Sequence, residues 1–131
     1  MANLPSDLRY TKDHEWIRDN GDGTCTVGIT EFAQQQLGDI VFVDVPSVGK
    51  KLEAEDVFGT VESVKSVSDL FLPVGAEILE INAELESEPE LINTEPYGDG
   101  WIAKIKPGNP ADLNRLFDAE SYQKLLDSAS Q

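Results

Sequence analysis

Few side chains in this chain can do chemistry, and that scarcity is informative. There is one histidine, His14, and one cysteine, Cys25, and no glycine-rich loop of the kind that cradles phosphate. His14 is followed by Glu15, a pair able to relay a proton. No nucleophile or third partner accompanies it, so a triad has no support. Cys25 falls in a stretch that reads as strand, where a buried, inert thiol is the usual case. A lone thiol forms no internal disulfide, and no cluster of ligands has a recognised metal spacing. The acidic run at 84–90 lacks the Gly and Asp/Asn pattern of a calcium loop and reads as solvated surface. What remains is a lysine. Between Lys51 and Lys104 lie 52 residues, thirteen of them acidic and only one, Lys65, basic. Charge alone makes Lys65 an ordinary solvated side chain on a turn or strand. The alternative is an amine that another molecule addresses in particular.

The elements that must position these groups follow from pattern. Residues 14–18 read as a short strand and 24–29 as the strand that returns from it. Asp19-Asn20-Gly21-Asp22-Gly23 between them holds both Asn-Gly and Asp-Gly, residues that tolerate positive φ in tight turns. Thr30 caps a short helix over 31–37, closed by Gly38. Residues 40–45 are β-branched and aromatic and form a strand that Pro46 stops. Further short strands are expected near 57–64, 67–72, 77–81 and 101–105. Many short strands at this spacing predict a mainly β fold, a flattened antiparallel barrel or sandwich. The tail is helical. Asn109 caps one helix with Pro110 at its first position, and Asp118 caps a second. Leu113, Leu116 and Phe117, then Tyr122, Leu125 and Leu126, form stripes that dock on the sheet. A weak repeat relates 38–44 to 76–82 at an offset of 38, with Lys65 between the copies. If the halves are related by a two-fold axis, Lys65 sits at an exposed tip.

Composition bounds the answer further. Of the 131 residues, 36 are Leu, Ile, Val or Phe, above the roughly one-fifth below which charged chains stay disordered. Length predicts one domain, 1–131, with a helical appendage at about 109–128. Ten basic residues against 25 acidic ones leave a net charge of −15, which repels nucleic acid and anionic membrane surfaces. No stretch approaches the 18 or so apolar residues of a membrane span. Met1-Ala2-Asn3-Leu4-Pro5 has neither signal-peptide nor transit-peptide character. The expectation is a soluble, cytoplasmic monomer.

At 59–69 the chain reads Gly59-Thr60-Val61-Glu62-Ser63-Val64-Lys65-Ser66-Val67-Ser68-Asp69. This stretch resembles the lipoylation site of the H proteins of the glycine cleavage system. Other segments resemble the same family in the same order. They are Tyr10 with His14-Glu15-Trp16; Val27-Gly28-Ile29-Thr30-Glu31; Leu37-Gly38-Asp39-Ile40-Val41-Phe42-Val43; Leu91-Ile92-Asn93; and Glu95-Pro96-Tyr97-Gly98-Asp99-Gly100-Trp101-Ile102. Together they span about residues 8–127.

The resemblance implies a carrier and not a catalyst, with a lipoyl-domain-like hybrid barrel. Lys65 is then joined by an amide to lipoic acid. Its partners are a pyridoxal-phosphate glycine decarboxylase, a tetrahydrofolate-dependent aminomethyltransferase, dihydrolipoamide dehydrogenase with FAD and NAD, and lipoate-attaching enzymes. The cofactor carries the hard chemistry, so few reactive side chains are needed. The family also shelters the loaded arm in a cleft. Positions matching those that hold its amine are Glu15 and Asp69, with Asp13 where a serine is common. Carboxylates hold a protonated amine through charge-assisted hydrogen bonds. Two departures stand out: Phe32 replaces a frequent histidine, and Val74-Gly75-Ala76-Glu77 moves a glycine by one place, which predicts a different local turn.

Other readings are weaker. Biotin carriers usually have Met on both sides of the lysine, and this chain has Val64 and Ser66. Lipoyl domains of 2-oxoacid dehydrogenases usually have Asp before it. A relay that passes lipoate to other proteins has the same sequence features as a glycine cleavage carrier. A hydrolase built on His14 and Glu15, or an acidic interaction protein without cofactor, gives Lys65 no role.

Overall fold

Two antiparallel sheets enclose the main core in the computed structural model, which describes residues 4–129. The larger has the order β1-β2-β3-β9-β8-β5: Arg9–Tyr10 (β1), Glu15–Asp19 (β2), Cys25–Ile29 (β3), Ala103–Pro107 (β9), Ala76–Ile81 (β8) and Lys51–Leu52 (β5). The smaller has the order β4-β6-β7: Ile40–Asp44 (β4), Val57–Ser63 (β6) and Val67–Phe71 (β7). Helix α1 is Glu31–Leu37, and α2 (Glu84–Ser87) and α3 (Leu91–Thr94) lie between β8 and β9. A 3₁₀ helix, Pro110–Arg115, precedes α4, Ala119–Ala129. The fold is the mainly β, lipoyl-domain-like sandwich expected from the sequence. The leader reading at residues 1–3 lies outside the described residues.

Local chemistry sets the element ends. Thr30 accepts a hydrogen bond from the Ala33 amide, and Gly38 closes α1 with φ 85°. Asn109 caps the 3₁₀ helix through the Ala111 amide, and Asp118 Oδ1 accepts from Ser121 N at the start of α4. In the β2–β3 turn, Asp19 and Asp22 accept from the backbone two residues on, as Asx turns do.

Several boundaries differ from the sequence reading. His14 is not in β2, because it adopts φ 66°, outside the strand region. β9 begins at Ala103 rather than near Trp101. The two-residue strands β1 and β5 exist only through partners, Arg9–Tyr10 against Trp16–Ile17 and Lys51–Leu52 against Ala76–Glu77. The run at 84–90 keeps its acids exposed, yet folds in part as α2, which buries Leu85. Gly75 does not adopt positive φ, so the shifted glycine creates no left-handed turn.

The core between the sheets includes Val27, Ile29, Ile78, Ile102 and Ile105 from one side and Ile40, Phe58, Val61, Leu70 and Leu72 from the other. Leu113 and Leu116 pack against it. A second cluster joins Leu8, Tyr10, Trp16, Tyr122 and Leu126, with Phe117 and Leu125 at its margin. Tyr10 and Tyr122 stack at 4.8 Å. Trp16 lies flat on β3 because its cross-strand neighbour is Gly28, where a Cβ would come within 2.6 Å of the indole. The repeat has a structural echo. The β4–β6 register breaks between Ile40 and Phe42, and the β8–β9 register between Ile78 and Glu80, the same places at an offset of 38.

Candidate functional site

Strands β6 and β7 form a hairpin whose tip is Ser63-Val64-Lys65-Ser66. Ser63 N donates to Ser66 O at 2.8 Å. Ser63 is buried, and its Oγ accepts from the amides of Lys65 (3.3 Å) and Ser66 (3.1 Å). The serines on either side of the lysine therefore differ: Ser63 builds the turn from within, and Ser66 is exposed. Val64 N donates to Asp39 O at 3.0 Å, tying the tip to the segment between α1 and β4. Lys65 is exposed. Its aliphatic stem passes over Gly38, where a Cβ would stand 3.3 Å from Lys65 Cε.

Below the tip, a cleft of ≈ 150 Å³ runs between α1 and the hairpin. The three expected arm-shelter residues, Asp13, Glu15 and Asp69, all line it, together with His14, Phe32 and Leu37 among others. Asp69 is exposed on β7, and Asp13 is half-buried in the turn before β2. Glu15 is different, being only 3% exposed. Its Oε2 accepts from Phe71 N at 2.7 Å, which links β2 to β7 across the two sheets. Its Oε1 is buried without a hydrogen-bond partner. Burial pushes the Glu15 pKa up to about 9, against the pull of the Phe71 amide and with a small push from Asp13. A carboxyl in this state is neutral at pH 7, and its orphaned oxygen carries an unmet demand for a partner. Glu15 also lines a second cavity of ≈ 190 Å³ bounded by Tyr10, Thr11, Lys12, Arg115 and Phe117.

His14 forms the cleft's back wall. Its ring packs against Phe32 at 4.6 Å with the planes tilted by 43°, so the residue that departs from the family pattern supplies an apolar surface. His14 Nδ1 lies 2.7 Å from Tyr122 Oη, which is 2.9 Å from Thr30 Oγ1. Thr30 donating to Tyr122, and Tyr122 donating to Nδ1, satisfies all three groups with a neutral imidazole. Burial lowers the His14 pKa in the same sense. The histidine thus joins α4 to the cap of α1, and this structural role replaces the proton relay with Glu15.

Sequence reasoning missed two contributors. From the sequence Tyr122 reads only as a docking residue, and Asn93 only as part of a short motif. Asn93 Oδ1 accepts from Ile40 N at 2.9 Å, and Nδ2 donates to Gly38 O at 3.0 Å. The segment at 95–98 is also structural. Pro96 O accepts from Trp16 Nε1, Tyr97 O accepts from Arg18 Nη2, and Tyr97 Oη accepts from Glu31 N.

Cys25 is buried, and burial raises its pKa to about 11. Among the described residues no group of His, Cys, Asp and Glu is arranged to hold a metal ion. Among them, too, no helix is long and apolar enough to cross a membrane.

Comparison with known proteins agrees with this geometry. The family model described as "Glycine cleavage H-protein" matches residues 8–129. The chain is 56% identical over 126 residues to the glycine cleavage system H protein of Bacteroides fragilis, covering 96% of this chain and 99% of that one. It is 57% identical over 122 residues to the same-named protein of Symbiobacterium thermophilum, covering 93% and 94%. The crystal structure of a glycine cleavage system H protein from Mycobacterium marinum superposes with a TM-score of 0.85 at 40% identity, covering 95% of this chain and 99% of that one. With a family model over nearly its full length and relatives above half identity, the chain belongs to the glycine cleavage H-protein family.

Proposed function

We propose that this chain is a lipoyl carrier whose Lys65, joined by an amide to lipoic acid, takes an aminomethyl group from a pyridoxal-phosphate glycine decarboxylase. It presents that group to a tetrahydrofolate-dependent aminomethyltransferase and is returned to the disulfide form by dihydrolipoamide dehydrogenase with FAD and NAD. Lipoate-attaching enzymes install the cofactor. One observation carries the reading: the single basic residue of its stretch stands exposed on a hairpin above a cleft that contains a buried, half-satisfied carboxyl.

The residues fit the group. Lys65 offers a free amine on a narrow, hydrogen-bonded tip that a deep active site can admit. Its stem already lies toward Gly38 and the α1 side of the cleft. Lipoate supplies a dithiol that couples group transfer to redox, and a tether raises the local concentration of its load. The chain's own work is to shelter. Ile29, Phe32, Leu37, Val61 and Leu70 keep the cleft apolar, and Glu15 Oε1 offers its end an acceptor. An ammonium arriving there lowers the Glu15 pKa, so Glu15 releases its proton to solvent as the ion pair forms. Asp13 and Asp69 add negative potential at the cleft's mouth. The surface charge of −15 favours fast, salt-sensitive encounters with basic rims on the partners.

Intact-mass measurement tests the proposal. The native chain from lipoate-making cells is expected to carry one lipoyl group, and Lys65→Ala none. An unmodified native chain from such cells overturns it.

A further inference from the structure

The motif Leu91-Ile92-Asn93 plays no part in the chemistry assigned to Lys65. Asn93 lies on α3, yet its side-chain amide is engaged with one short segment of another part of the chain. Oδ1 accepts from Ile40 N at 2.9 Å, while Nδ2 donates to Gly38 O at 3.0 Å and to Gln34 Oε1 at 2.9 Å. Its two backbone contacts straddle Asp39. The carbonyl of Asp39, fixed between them, accepts the Val64 amide of the hairpin tip at 3.0 Å. The same turn touches Lys65 directly, since Gly38 lies under its stem. Gly38 has φ 85° and ψ −160°, a region essentially limited to glycine.

From outside the hairpin the β4–β6 ladder reaches the first residue of the tip, Ser63 opposite Ile40, the residue whose amide Asn93 holds. Val64 is 70% exposed and Val67 64%, so apolar burial does not anchor it. A hairpin end without packing frays unless hydrogen bonds restrain it. We propose that Asn93 is a positioning residue for the modified lysine: by clamping the turn at 38–40 it fixes the carbonyl that holds Val64, and so sets the direction in which Lys65 leaves the tip. The inference rests on Lys65 being the attachment lysine. Its signal is tertiary, a side chain 28 residues beyond the lysine in sequence acting through a third segment.

The test combines amide hydrogen exchange with the kinetics of lipoate attachment, on the full chain and on Asn93→Asp. The replacement keeps the acceptor for Ile40 N and turns the donor facing Gly38 O into an acceptor. Exchange at Val64 is expected to accelerate about tenfold or more, while core amides such as Val27 keep their protection. With a lipoate-attaching ligase, lipoate and ATP, the variant's KM is expected to rise about tenfold with kcat retained, as for lost prepositioning. Unchanged Val64 exchange and KM overturn the proposal, as does a uniform acceleration of all amides, which signals global destabilisation alone. Should Asn93→Asp not fold, the native chain still decides. Its Val64 amide must exchange at least about tenfold more slowly than an unstructured one, and free exchange there overturns the clamp. Failure of the native chain to accept lipoate refutes the reading of Lys65 instead and leaves the exchange result standing.

Discussion

Lys65, exposed at the hairpin tip, and Glu15, in the wall of the cleft between the hairpin and α1, are treated in opposite ways. The lysine is exposed, and its surroundings are hydrogen-bonded backbone and small side chains. The glutamate is buried, with one oxygen bonded to Phe71 N and the other left without a partner. An exposed amine costs the fold almost nothing and can be replaced without structural penalty. A buried carboxyl destabilises the fold unless something arrives to satisfy it. The contrast separates two kinds of site: the tip is open to access, and the cleft wall holds a carboxyl with an unmet hydrogen-bond demand.

Four substitutions break or sharpen that contrast. The largest effect is expected from Lys65→Arg, which keeps the charge but offers no amine for acylation. Intact mass should show complete loss of lipoylation, with a change in melting temperature below about 3 °C because the site is exposed. Next is Glu15→Gln. On the proposed shelter it removes one buried charge-assisted contact, so spontaneous loss of the aminomethyl group should quicken about 30-fold, from a contribution of about 2 kcal/mol. The same variant has a signature in the empty chain. The folded-state pKa of Glu15 lies above its unfolded value, so the stabilising contribution is complete below about pH 4.5 and declines as pH rises toward 9. At pH 7 the native chain has lost on the order of 3 kcal/mol at this site. Denaturant titrations should find the stability of Glu15→Gln relative to native rising between pH 5 and 8. A flat difference would show that Glu15 titrates normally.

Third, Tyr122→Phe deletes the hydroxyl shared by His14 and Thr30 and should cost about 1–2 kcal/mol in urea unfolding, with lipoylation of Lys65 unaffected. The smallest effect is expected from Asp69→Asn. Its carboxylate is exposed, and an exposed pair contributes about 0.2–1 kcal/mol, so loss of the load should quicken less than about fivefold. Equal effects at Glu15 and Asp69 would abolish the distinction drawn between buried wall and mouth.

The sequence revealed most where local chemistry decides. Thr30, Gly38, Asn109 and Asp118 mark helix ends because capping depends on residues a few positions apart. The lysine hairpin was legible for a similar reason, through a turn flanked by strand-forming residues. What the local sequence does not reveal depends on contacts distant in sequence. β1 and β5 have two residues each and are strands only because a longer neighbour pairs with them. The burial of Glu15 defies period-two alternation, since Glu15, Trp16 and Ile17 are all buried in succession between two cores. The candidate arm-shelter residues came from family resemblance, and that resemblance did not distinguish the buried Glu15 from the exposed Asp69. Asn93 looked like one polar residue in a short motif, because its partners at 34, 38 and 40 lie on the far side of the domain's sequence.

The buried thiol of Cys25 has a consequence for the sulfur chemistry proposed for an arm on Lys65. A dithiol that cycles through its disulfide will exchange with any accessible thiolate, including one on its own scaffold, and form a dead-end mixed disulfide within or between copies. Here the scaffold's one sulfhydryl is 2% exposed and its thiolate is disfavoured by burial among strands beside Asp19 and Asp22. Such a thiol reacts slowly at neutral pH. The scaffold therefore offers the sulfurs of the arm proposed for Lys65 no accessible competitor, and oxidised samples are expected to form no cross-link through Cys25.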